Sequence, residues 1–190
     1  MNKAAALGAA AGSAVLALFY FVANGMPVLR VLDSLPASAM VQPFLILVLP
    51  QLVWTWFFLT FWRGQPERSA AMISLLVAVA PQAVYSWVQT WPTFSLLSLD
   101  SIFYLFSGVL QPLMYAWFLI AVSNNTSTRR SAYILWVLTT FQAMATLVTT
   151  SMALLSFTGS LTIFAGPAVM IFQRGSQSFF FRGIRKLDTR

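Results

Sequence analysis

Between Ala4 and Gln173 the charged residues of this chain occur only in the short gaps between long apolar runs, and the rest stand at its ends. Few architectures tolerate that arrangement. Apolar residues make up 59% of the chain and charged residues 8%, where soluble domains average about 45–50% and about 25%. A soluble fold of this length has no interior large enough for so much apolar surface, so the bilayer must act as its solvent. The expected fold is all-α: a polytopic integral membrane bundle of about six helices, several of them kinked by proline.

A spanning helix takes about 20 apolar residues. The chain divides into spans near Ala4–Met26, Met40–Trp62, Ala70–Trp91, Ser101–Val122 and Ala132–Phe157. A shorter sixth segment, Leu161–Gln173, either continues to Phe181 with Arg174 snorkelling to the headgroups or lies as a re-entrant or interfacial piece. Residues 1–176 then form one transmembrane domain, and 177–190 a basic, aromatic tail on the membrane surface. The first segment is longer than a signal-peptide core and lacks a small-residue cleavage site, so it reads as an uncleaved first helix.

Lys and Arg are retained on the cytoplasmic side of a membrane. With six spans and both termini inside, the inner segments hold Lys3, Arg63, Arg68, Arg129, Arg130, Arg174, Arg182, Arg185, Lys186 and Arg190, and the outer loops hold only Arg30. The side is the cytoplasm for a bacterial inner membrane, or the inner compartment of an organelle. The sequence pI of about 10.6 therefore follows topology and does not signal nucleic acid. In the tail, Phe179, Phe180, Phe181 and Ile184 mix with Arg182, Arg185, Lys186 and Arg190. This composition suits a topology anchor, contact with anionic lipid or docking of a partner.

The chain has neither Cys nor His, which removes thiolate chemistry and the commonest metal ligand and near-neutral base. No acidic or basic residue falls inside an expected span, although proton relays and ion-coupled pumps place one there. Ser107, Ser151 and Ser156 lack a partner base. No catalytic residue, metal site or cofactor site is expected, and an enzyme ranks last.

Three successive spans share a pattern. The second carries Pro50-Gln51 followed by Trp54 and Trp56, the third Pro81-Gln82 followed by Tyr85 and Trp87, and the fourth Gln111-Pro112 followed by Tyr115 and Trp117. Each pair lies near mid-span. A proline removes one N–H and displaces the carbonyl four residues earlier, here those of Ile46, Val77 and Gly108. In hydrocarbon these carbonyls need partners, and the adjacent glutamines are nearest. The fifth span adds Gln142 among Thr139, Thr140 and Thr146, and the sixth has Gly166-Pro167. Expected kinks are thus Pro50, Pro81, Pro112 and Pro167. The expected midplane layer is Gln51, Gln82, Gln111 and Gln142 with Trp54, Tyr85 and Tyr115. Such a layer is either hydrogen-bonding glue between helices or the lining of a cavity, as in transporters with broken helices. The Pro-Gln pairs are shared with PQ-loop transporters, but those carry them on corresponding helices of two three-helix bundles. Here two lie on adjacent antiparallel spans, so the likeness is to a dipeptide and implies no family. In the first span, Ala4, Gly8 and Gly12 form a small-residue face for close helix packing.

Two functions fit these features. One is a non-catalytic, structural or accessory subunit of a larger membrane complex, partnered by other membrane proteins or by its own copies. The other is a carrier, channel component or receptor for a neutral or lipophilic small molecule bound in the midplane layer.

Overall fold

The computed structural model describes residues 3–29, 44–64, 67–84, 109–155 and 164–185. The elements among them are six helices: α1 Lys3–Leu29, α2 Phe44–Trp62, α3 Arg68–Val84, α4 Gln111–Ser123, α5 Arg129–Leu155 and α6 Ala165–Arg185. Three of these, α1, α2 and α5, are long and apolar enough to cross a bilayer. Over the described residues α3 and α4 are shorter apolar helices.

Proline shapes three of them. In a regular helix its ring collides with the carbonyl four residues earlier. Here each ring is accommodated by a wide, π-helical turn placed just ahead of it. Phe44–Val48 precedes Pro50, Leu75–Val79 precedes Pro81, and residues 109–110 precede Pro112. Among the described residues no glutamine side chain bonds the Ile46 or Val77 carbonyl, contrary to the sequence expectation; Gly108 lies outside them. Pro167 was expected as a kink but stands in the first turn of α6, where a missing N–H leaves no helical bond unmade.

Cross-helix contacts give the direction of every helix but α3. On α1 and α6, Ala5 meets Gly183, Gly12 meets Gln173 and Ser176, and Phe19 meets Gly166, so the two are antiparallel. Gln51 meets Gln173 and Phe58 meets Phe180, so α2 runs with α6. Tyr115 meets Gln177 and Phe118 meets Phe181, so α4 does too. Gln111 meets Gln142 while Thr140 meets Ser178, so α5 runs against both. α3 starts shortly after α2 ends and packs along it, so it runs back against α2. These registers place Lys3, Arg63, Arg68, Arg129, Arg130 and Arg182 at one end of the bundle. Both turns at that end use a residue with positive φ, Gly64 (84°) after α2 and Asn125 (54°) after α4, the left-handed conformation that commonly terminates helices.

The core near the basic end is aromatic. Phe57, Phe58, Phe118, Phe180 and Phe181 are fully or almost fully buried. Phe180 stands edge-on to Phe58 and Phe61, with centroids 4.8 and 5.1 Å apart, and Phe181 to Phe118 at 5.2 Å. These geometries favour ring quadrupoles. They also revise the expected surface tail. Residues 177–185 continue α6, and Phe180, Phe181 and Ile184 are core; Phe179 and Arg182 face outward. Lys186 and Arg190 lie outside the described residues, as does Arg185's side chain. The small-residue face is also halved. A side chain at Gly12 would strike Ser176 and the Gln173 backbone, whereas Gly8 has open space around it.

Candidate functional site

The polar layer is assembled by the same registers. Gln173 donates to the Gln51 side-chain oxygen at 2.8 Å, joining α6 to α2. Gln111 and Gln142 exchange a reciprocal pair of amide bonds at 2.9 and 2.5 Å, joining α4 to α5. One turn nearer the basic end, the Tyr115 hydroxyl donates to Gln177 at 3.0 Å, and Thr140 shares a hydrogen bond with Ser178 at 2.6 Å. Thr139 and Thr146 bond carbonyls of their own helix instead. Four of the amides, Gln51, Gln111, Gln142 and Gln173, therefore bond in pairs across helices, which is the way polar side chains join membrane helices.

The repeated aromatic offsets acquire a meaning. Trp54 and Tyr115, the first aromatics of two copies of the pattern, are both buried and lie 4.9 Å apart between ring centroids. Trp117, a second aromatic, faces outward, and Trp56 is half-buried. Tyr85 and Trp87 lie outside the described residues.

Gln51, Trp54, Gln82, Gln111 and Tyr115 line one cavity, together with Val79, Pro112, Gln173, Arg174 and Gln177. Five of the seven residues expected in the layer thus converge there. Gln142 reaches it only through Gln111. About 20 Å³ of the cavity can hold the centre of a water molecule. One water needs roughly 10–15 Å³ by that measure, so the space suits a water or a small ion. It does not suit the lipophilic molecule expected from the aromatic content.

Arg174 changes the chemistry of the layer. It was expected to snorkel or to lie beyond the last span. Instead it lines the cavity, half-buried, within reach of the Tyr20 and Tyr115 hydroxyls. Arg182, at the basic end, is eight residues further along α6, about 12 Å at 1.5 Å per residue. Gln51 is twelve residues from Arg63, about 18 Å. The layer thus lies about 12–18 Å from the charged end. The only acidic residue among those described is Glu67, exposed at the start of α3. No carboxylate among the described residues therefore faces Arg174, and no cluster of metal-ligating residues occurs among them.

Gln173, Arg174 and Gln177 are not among the expected layer residues, because the sequence leaves open whether the sixth segment stops at Gln173 or continues to Phe181 with Arg174 at the headgroups. Gln173, Gln177, Phe180, Phe181 and Ile184 recur at the spacing of one helical face, and that periodicity carried the missing signal. Compared with known families, curated proteins and solved structures, the chain has no match.

Proposed function

We infer that this is a non-catalytic membrane protein of six crossings that binds a small polar ligand in the cavity around Arg174. It acts as a receptor, carrier or channel component. The observation that carries this reading is the convergence of five predicted layer residues and Arg174 on one cavity, which six crossings would put at mid-membrane. An ionisable side chain at that depth is expensive and marks a functional site by default. The ligand reaches the cavity from the end opposite the basic one, because the Phe57, Phe58, Phe118, Phe180 and Phe181 cluster closes the other route. The natural absence of cysteine allows a direct test. Gln82→Cys, in sealed vesicles, should react with a membrane-impermeant thiol reagent applied to the non-basic side and stay inert to the same reagent on the basic side. Absence of reaction from both sides would reduce the layer to packing.

A second reading, an accessory subunit of a membrane complex, draws support from the outer half of α5. Phe141, Met144, Leu147, Val148, Met152 and Leu154 are all exposed there. A subunit should leave the native membrane in mild detergent as a large particle with stoichiometric partners; a lone or homo-oligomeric particle would dismiss it.

A further inference from the structure

We propose that the cavity around Arg174 is a site for one small monovalent anion of about the size of chloride. The proposal rests on the reading of the cavity as a ligand site and names what it takes.

The argument begins with charge. A guanidinium stays protonated in proteins, and burying a charge is costly unless it is paired. Arg174 has no carboxylate partner among the described residues, and the groups around it are amides, a phenol and an indole. Tyr115 donates its proton to Gln177 and turns its oxygen to Arg174 and Gln111, a neutral acceptor that leaves the arginine's charge uncompensated. Each glutamine amide carries two N–H groups. The amide nitrogens of Gln51, Gln82 and Gln177 donate to no acceptor among the described residues, and neither does the Trp54 indole. A cluster of donors around a fixed positive charge is complementary to an anion and repels a cation.

Valence and size narrow the class. One arginine neutralises one negative charge, and a divalent anion would leave a net charge in low dielectric. The space admitting a water-sized centre is about 20 Å³, enough for one water-sized particle or a halide at roughly 10–15 Å³ per water. A phosphorylated metabolite or a lipid headgroup is too large. The aromatic cluster on the basic side makes the site a closed-end one, which favours binding over through-conduction in this conformation.

The test uses the full chain purified in mild detergent and ³⁶Cl⁻ in equilibrium dialysis at constant ionic strength. Wild type should bind one chloride per chain. Bromide should displace it, and sulfate should not. Arg174→Gln should weaken binding at least tenfold. Gln82→Glu provides the control for folding, because Gln82 is exposed and the change supplies an internal counter-charge. It should abolish chloride binding while the helical circular dichroism and elution volume stay those of wild type. Absence of saturable chloride binding to wild type, or unchanged binding in a folded Gln82→Glu variant, would overturn the anion site. If Gln82→Cys is labelled while chloride does not bind, the anion falls and the ligand site stands. If neither occurs, both fall.

Discussion

Two glycines one turn apart on α1 give the sharpest test of the packing. At Gly12 an added Cβ would lie against the Ser176 hydroxyl and 3.1 Å from the Gln173 Cα. The hydroxyl can rotate, although it then gives up its 2.8 Å bond to the Gln173 carbonyl. The Cα cannot move without shifting α6 as a whole. Gln173 is also the residue that bonds Gln51, so the same shift strains the polar layer. Overpacking of this kind costs about 1–3 kcal/mol. At Gly8 the same methyl meets nothing within 4 Å, so Gly8→Ala should be neutral or gain up to about 1 kcal/mol from helix propensity. The two substitutions are chemically identical, yet Gly12→Ala should be the less stable by about 2 kcal/mol, roughly thirtyfold in the folding equilibrium. Unfolding by SDS in mixed micelles, followed by circular dichroism, measures the difference. Equal stabilities, or a Gly12→Ala variant more stable than Gly8→Ala, would refute the close α1–α6 approach.

Other predictions follow from the layer and the core. Gln111→Leu and Gln142→Leu should each destabilise by about 1–2 kcal/mol, and the double variant should cost less than the sum by about 0.6–1.7 kcal/mol; strictly additive unfolding free energies would mean that the two amides do not pair. Phe181→Ala, which empties a fully buried site beside Tyr115, Phe118 and Phe180, should cost about 3–5 kcal/mol. Phe179→Ala, on the outward face, should stay within about 0.5 kcal/mol, so equal losses at the two positions would return this stretch to a surface tail.

The helices were legible because hydrophobic length and charge placement depend on the bilayer, which acts on every residue alike. The register was not, because it depends on which small residues let backbones approach: Gly12 and Gly8 look the same in sequence, and only one meets a neighbour. The layer was legible as far as glutamine, proline and aromatic residues recur together in Pro50-Gln51-Trp54 and Gln111-Pro112-Tyr115. Its last third was hidden because a charge at Arg174 points to the headgroups, whether the sixth segment stops at Gln173 or runs on to Phe181. A buried charge is costly, and sequence reasoning therefore moves it to the surface; here a cavity lined by amides holds it. The prolines, too, act differently from expectation, since a wide backbone turn precedes Pro50, Pro81 and Pro112, and Gln51 and Gln111 pair across helices.

The depth of Arg174 is the point on which the functional reading turns, and spin labels on the outward face of α6 measure it without entering the cavity. Phe172 and Phe179 are both exposed and bracket Arg174. In lipid vesicles, with Phe172→Cys and Phe179→Cys labelled in turn, power-saturation depth measurements should place the label at 172 near the bilayer centre. The label at 179 should lie about 10 Å closer to the basic side, seven residues at 1.5 Å each. Two labels at the same depth, or a label at 172 among the headgroups, would lay α6 along the surface, put Arg174 in water and contradict the buried site.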